Sequence, residues 1–373
     1  MIDKIINKSS KKNCILLVPL DWGLGHATRC IPLIREFEAN GCEVIIAAEN
    51  PVKSLLQHEF QHLTFIPLKG YGIRYSVKSH WLPLKILSQL PRILHRIYKE
   101  HKWLKKVVKK YSVTAIISDN RFGLYHSHIP SVYITHQLLI KTGGTFSEKI
   151  ARQIHGWFIN KYTFCWIPDF EGMINIGGEL SHPSIYPSNT KFIGCLSRFE
   201  KKAGFEKNND LLIIISGPEP QRTIFEELLL PQLRQYKGKT LVIRGLPGIE
   251  ENDKNALGIN TANSHLVIKN HLSARELNDE IEQSALIISR SGYTTIMDLI
   301  KLKQKAVLVP TPGQTEQEYL AGHLMKQHFF FTTRQAGFIL TDVLKQAAEF
   351  PFAVPFFDMD QYKKVVYQFV QTL

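Results

Sequence analysis

At 373 residues the chain exceeds one ordinary hydrophobic core, so two domains are expected. Its 44% hydrophobic and 21% charged content is that of a globular protein, and no run approaches the roughly 18 apolar residues of a membrane span. The net charge of +13 sits in the first half: residues 1–200 hold 26 Lys/Arg against 14 Asp/Glu (+12), residues 201–373 hold 20 against 19 (+1), a split that argues against a uniformly basic nucleic-acid binder.

The N-terminal MIDKIINKSSKKN is polar and lacks the apolar centre of a signal peptide. The five cysteines (Cys14, Cys30, Cys42, Cys165, Cys195) are odd in number and widely spaced, with no CxxC or Cys/His metal pattern. Reduced thiols in a cytoplasm are expected. Cys14–Val18 is a continuous apolar run, as suits a strand buried on both faces. A glycine loop, Asp21–His26, follows, then a helix to about Asn40 that stops at Gly41. Glu43–Ala48, Leu63–Pro67, Ala115–Ser118, Ser131–Thr135 and Phe164–Ile167 read as further strands. A second series comprises Leu211–Ser216, Thr240–Arg244, His265–Ile268, Ala285–Ser289 and Ala306–Val309. Strands alternating with helices predict an α/β class with two doubly wound, Rossmann-like domains facing a cleft. The polar KKAGFEKNND (Lys201–Asp210) is the expected linker, dividing the chain into 1–200 and 201–373. Ligands then bind at the carboxyl ends of the strands.

Four stretches carry candidate chemistry. In Asp21-Trp-Gly-Leu-Gly-His26, Gly23 and Gly25 allow a sharp turn and close backbone approach. His26 at the helix start is placed to act as general base on a substrate hydroxyl. A dinucleotide fingerprint would need Gly at position 28, where Thr28 stands, although Glu49 ends the second strand as a ribose-binding acid would. The plain alternative is a βα turn whose His caps the helix. Ser216-Gly-Pro-Glu-Pro-Gln-Arg222 is a second strand–loop–helix junction. Its open Gly217, the Ser216 region and Arg222 are expected to hold a diphosphate; otherwise it is a Pro-rich connector. In Ile288–Asp298, Ser291 and Gly292 would face phosphate and Asp298 a ribose, while Arg290 reads as structural. On the following loop Gln317 and Glu318 would grip the sugar, and Leu272 after the strand His265–Ile268 would flank a flat base.

Fourth, Lys69–Lys110 holds 12 basic residues and one acid, Glu100. Within it, Trp81–Lys110 mixes Leu and Ile with Lys and Arg, a pattern for an anionic membrane surface or for a packed helix pair with a solvated basic face. Asp119 and His136 are polar residues at strand ends; Asp119 is the reserve base and His136 lines the acceptor side. His126 and His128 form an HxH with no zinc-type ligand set around it, and there is no DxD motif.

With these residues in hand the chain resembles the GT-B glycosyltransferases, in particular the family 28-like branch of the bacterial peptidoglycan N-acetylglucosaminyltransferase. Arg290-Ser-Gly-Tyr-Thr-Thr-Ile-Met-Asp298 is similar to that branch's R-S-G turn followed by a ribose-binding acid. Val309-Pro310 with Thr315-Glu-Gln-Glu-Tyr319 resembles its loop with two glutamines, Gln317 matching the first and Glu318 replacing the second. Gly23-Leu-Gly-His26, Ile129-Pro130 to His136-Gln137, and Gly194 to Arg198 resemble further segments. The resemblance implies an inverting transfer from a UDP-sugar without an obligatory metal or other cofactor. It does not carry over the acceptor. The expectation is thus a glycosyltransferase using a UDP-sugar such as UDP-N-acetylglucosamine. Its acceptor is a glycan or a lipid-linked cell-envelope molecule, bound at the cytoplasmic membrane face, and nucleic acid is not a partner. A nucleotide-sugar hydrolase, a UDP-sugar 2-epimerase of the same fold, and a non-catalytic donor-binding subunit are the alternatives. The last helix is expected to pack back on the first domain.

Overall fold

The computed structural model describes residues 12–71, 82–141, 144–202, 204–246 and 265–373, with backbone only at 82–90, 145 and 146. Trp81, Arg74 and Lys78 of the basic stretch, and Ala203 of the expected linker, lie outside the described residues.

The first half comprises β1 (Cys14–Val18), α1 (Leu24–Ala39), β2 (Glu43–Ala47), α2 (Val52–Glu59), β3 (Thr64–Ile66), α3 (Leu82–Tyr111), β4 (Ala115–Asp119), β5 (Ser131–Ile134), α4 (Thr145–Ile159), β6 (Phe164–Ile167) and β7 (Thr190–Phe192). Its strands form one parallel sheet in the order β3-β2-β1-β4-β5-β6-β7. The second half contains β8 (Asn209–Ile214), α5 (Gln221–Gln235), β9 (Thr240–Ile243), β10 (Leu266–Lys269), α6 (Ala274–Glu282), β11 (Ser284–Ser289), α7 (Tyr293–Leu302), β12 (Ala306–Leu308), α8 (Thr315–Lys326), β13 (Phe331–Thr332), α9 (Leu340–Glu349) and α10 (Gln361–Val370). Its sheet is also parallel, ordered β10-β9-β8-β11-β12-β13. The α/β class with two doubly wound sheets is therefore what the chain adopts.

The continuous apolar strands are the central ones. Every residue of β1 is buried, because helices cover both faces of the sheet. Two strands had no counterpart in the apolar pattern. Thr190–Phe192 is a half-buried edge strand of three residues and Phe331–Thr332 an edge strand of two, so neither writes a long apolar run into the sequence. In each sheet the chain order reverses once, between β1 and β4 and between β8 and β11. Loops diverge at such points and leave a crevice at the carboxyl ends of the strands.

The halves are in contact. Helix α10 lies against α1 and the first sheet: Phe369 meets Phe37 edge-on at 6.4 Å and Trp166 at 5.4 Å. Helix α7 opens beside α1, where Thr294 Oγ1 donates to Gly25 O at 3.2 Å. A Cβ at position 25 would sit 3.1 Å from that hydroxyl oxygen, which gives Gly25 a packing reason. Gly23 precedes α1 with φ +116°, a conformation that disfavours side chains.

Candidate active site

The crevice of the first sheet is built by α1, β4 and β5. Asp119 is the last residue of β4 and fully buried; His26 sits in the first turn of α1 with its side chain 17% exposed. His26 Nδ1 lies 2.9 Å from Asp119 Oδ2. Arg29, one helical turn after His26, donates from Nε to Asp119 Oδ2 at 3.0 Å and from Nη2 to Oδ1. The guanidinium and the imidazole hold the Asp119 carboxyl below its ordinary range, against the raising effect of burial. Placing the ring hydrogen on Nδ1 pairs it with the ionised Asp119 carboxylate. Arg29 Nη2, which carries two hydrogens and directs one at Asp119 Oδ1, is also 2.8 Å from Nδ1, so the guanidinium and the carboxylate meet at this edge of the ring. Nε2, on the opposite edge of the ring, is then the basic nitrogen. Burial, and next the Arg29 charge, push the His26 pKa below its ordinary value, so the ring is neutral near pH 7.

This geometry corrects the view of Asp119 as a reserve base. It is fully buried and bonded to His26 and Arg29, so it braces the His26 ring and is not open to a ligand hydroxyl. His136, just past β5, joins the same network: Arg29 Nη1 donates to its Nδ1 at 3.0 Å. Its ring stacks on Tyr293 of α7, centroids 4.0 Å apart at 14°, and its Nε2 donates to Glu316 Oε1 of α8 at 2.8 Å.

Arg29, Tyr293 and Glu316 escaped the sequence reading. Arg29 shares a helix face with His26 at i+3, the one local signal available. Glu316 stands beside the two residues expected to hold the sugar, and those two are turned elsewhere. Gln317 Oε1 accepts from Thr311 N at 2.9 Å and its Nε2 donates to Gln314 at 2.6 Å; Glu318 accepts from Gly313 N at 3.0 Å. Both brace the loop before α8, as side chains in a helix's first turn commonly do, and Glu316 is the one facing the cleft.

The second sheet's crevice holds the other candidates. Ser216 and Gly217 follow β8, Gly217 exposed with φ +106°. Arg222 is not free to clamp a diphosphate. Its Nε meets Glu219 at 2.5 Å, Nη1 meets Glu226 at 2.7 Å and Nη2 meets Thr223 at 2.8 Å, because the buried Glu226 demands a cation. Gly292 precedes the first turn of α7, and Ser291 is buried with its hydroxyl donating to Gln317 O at 2.9 Å. Arg290 is structural: it donates to Val309 O, Pro310 O, Gln221 O and Gln335, and lies 4.1 Å over the Phe225 ring. Leu272 is buried in the main apolar core.

Asp298 lies on the second turn of α7, 7% exposed, and accepts from Ser197 Oγ at 2.5 Å. Burial pushes its pKa up to about 6, moderated by Arg198 and the Ser197 bond. Among the described residues no three or more His, Cys, Asp or Glu gather as a metal site, and no helix is long and apolar enough to cross a membrane.

Residues 248–348 match the glycosyltransferase family 28 C-terminal domain, a span that includes α7, its Ser291-Gly292 turn, Asp298 and α8. That segment is similar to the family's C-terminal domain, and the match supports a glycosyltransferase. Over 296 residues it is 23% identical to a Clostridium botulinum (strain Loch Maree / Type A3) protein named UDP-N-acetylglucosamine--N-acetylmuramyl-(pentapeptide) pyrophosphoryl-undecaprenol N-acetylglucosamine transferase, covering 77% of this chain and 75% of that one. In fold it is similar to Acinetobacter baumannii MurG (TM-score 0.54, 13% identity, 97% and 100% of the two chains). It is also similar to the kitacinnamycin glycosyltransferase (TM-score 0.62, 14% identity, 97% and 96%). In this chain the His26–Asp119 pair and the N-terminus of α7 lie side by side where the two halves meet.

Proposed function

We propose that this glycosyltransferase moves a sugar from a UDP-sugar, with UDP-N-acetylglucosamine the first candidate, to a hydroxyl of a lipid-linked cell-envelope acceptor. The observation that carries this reading is the His26–Asp119 pair at the crevice of the first sheet, set against the opening of α7. The donor's diphosphate would rest between the Ser216-Gly217 loop and the first-turn N–H groups after Ser291-Gly292, with Asp298 toward the ribose. His26 Nε2 takes the acceptor hydroxyl's proton as that oxygen bonds to the sugar's C1. The bond from C1 to the phosphate oxygen breaks, and UDP leaves with the electron pair. The partial positive charge at a helix N-terminus favours that leaving anion, so on this reading EDTA in the assay leaves the rate unchanged.

The membrane surface belongs to the same proposal. Helices α3 and α4 lie side by side, since Ile97 and Phe158 share one apolar cluster. Outward they present Leu94, Tyr98, Ile150, Ile154 and Trp157, each more than 40% exposed. Exposed Lys102, Lys105, Lys106 and Lys149 lie on the same two helices. Apolar side chains ringed by cations suit an anionic bilayer on the cytoplasmic side.

The test is the fate of a panel of UDP-sugars incubated with the protein, with and without a bacterial lipid extract. UDP formation that requires the extract supports the proposal. UDP formation without it means hydrolysis, and an isomerised sugar means epimerisation; either outcome rejects it.

A further inference from the structure

Glu316 belongs to the second half, yet its carboxylate is committed to the first. Its Oε1 is 2.8 Å from His136 Nε2, and His136 is only 5% exposed. We propose that Glu316 is a positioning residue for His26: with the cleft closed it fixes His136, and through it Arg29, Asp119 and the proton on His26, so that the base is set when the two halves meet. This rests on the reading of His26 as the base.

Each link follows from what its neighbours are able to donate. His136 Nδ1 faces Arg29 Nη1 at 3.0 Å without the carboxylate that His26 Nδ1 also faces, and Arg29 has only donors, so this nitrogen accepts. The ring hydrogen of His136 therefore sits on Nε2, where it needs an acceptor away from water. Glu316 supplies that acceptor. If the carboxylate is removed, the buried Nε2–H is left unsatisfied. The other tautomer would turn an N–H against the Arg29 guanidinium. Arg29 would then have to move, and Arg29 is what holds both oxygens of Asp119 opposite His26 Nδ1. The second half grips His136 twice, on its edge through Glu316 and on its face through Tyr293, whose hydroxyl is anchored to Pro168 O at 2.8 Å. The charged and titratable groups around His26 are Arg29 from α1, Asp119 from β4, His136 beyond β5 and Glu316 from α8, with the Cys30 thiol 3.9 Å from Asp119 Oδ2.

A purely structural cross-cleft contact would leave the His26 ring untouched, so the test reads that ring. The full-length protein is labelled with ¹⁵N-histidine, with signals assigned through H26N and H136N. Tautomers and titration midpoints are then compared in the parent, E316A, E316Q and E316D. The parent should show His136 protonated at Nε2 and His26 at Nδ1. In E316Q the amide oxygen still accepts, so both tautomers should persist while the His26 midpoint falls with the lost negative charge. In E316A the His136 tautomer should change and the His26 midpoint should fall. If E316A leaves both rings as in the parent, or alters His136 alone, the proposal is overturned. Should E316A not fold, E316D decides: it keeps the charge one methylene short of His136, and unchanged tautomers in E316D contradict the claim. No substrate enters these spectra, so failure here is separable from failure of the glycosyl-transfer reading, which the UDP-sugar panel tests.

Discussion

His26 Nδ1 lies 2.9 Å from Asp119 Oδ2, across 93 positions of sequence and from the helix after one central strand to the end of its neighbour. In the proposed transfer the pair makes a neutral imidazole a directed base: the carboxylate holds the hydrogen on one nitrogen and would stabilise the imidazolium formed on proton transfer.

The first prediction concerns that pair. H26A should lower turnover on the order of 10²–10⁴-fold, the usual loss of a general base, with UDP affinity retained. D119N should also lower turnover, because an amide does not stabilise the imidazolium. D119A should in addition destabilise the fold by about 3–5 kcal/mol, since it strands the buried Arg29 guanidinium. Steady-state kinetics with thermal unfolding separate these effects, and normal turnover in H26A would remove the base from this position.

Asp298 predicts a pH dependence of stability. Its folded pKa of about 6 stands above the ordinary 3.8, so between about pH 4 and pH 6 the folded chain binds more protons than the unfolded one. Stability contributed by the protonated acid is therefore full below about pH 4 and is lost as pH rises through 6. At about 1.4 kcal/mol per pKa unit, the upper bound is about 3 kcal/mol. D298N should gain stability relative to the parent as pH climbs from 4.5 to 7. Urea titrations giving the same difference at both pH values would contradict the raised pKa.

Arg222 is predicted to serve the fold. With R222A, Glu226 keeps the Arg244 Nε at 2.5 Å but loses its other cation, and stability should fall by about 1–3 kcal/mol. UDP affinity by calorimetry should stay at the parent value. A large loss of affinity in a stably folded variant would restore Arg222 to the diphosphate.

The basic face of α3 predicts salt-sensitive membrane binding. Replacing the exposed Lys102, Lys105, Lys106 and Lys109 with Gln removes four charges, each contributing on the order of 1 kcal/mol near an anionic surface. The variant should stay in the supernatant when anionic vesicles are sedimented, and the parent should be released by salt. UDP affinity should not change, because the donor half is untouched. Equal pelleting of both proteins, or pelleting of neither, leaves α3 with a solvated basic face only.

Much of the architecture was legible because burial writes itself into composition. Central parallel strands are apolar throughout, so Cys14–Val18 and Ala285–Ser289 stood out, whereas the edge strands Thr190–Phe192 and Phe331–Thr332 bear no such constraint. His26, Asp119, His136 and Asp298 were legible as polar residues at strand ends or helix starts. Their partnerships were not. The Glu316–His136 contact spans 180 positions, and nothing local distinguishes Glu316 from Gln317 or Glu318 in one helical turn. Arg222 misled for the same reason: a lone Arg in a loop–helix junction does not reveal that Glu226 lies buried one turn on and Glu219 three residues before.

The central claim is a single displacement in which His26 deprotonates the acceptor hydroxyl as the donor bond breaks. The anomeric configuration of the product tests it most directly. One displacement on an α-linked UDP-sugar predicts a β-linked product, read from the anomeric proton coupling by NMR. An α-linked product would require two displacements or a different chemistry, and would contradict the role given to His26 and Asp119.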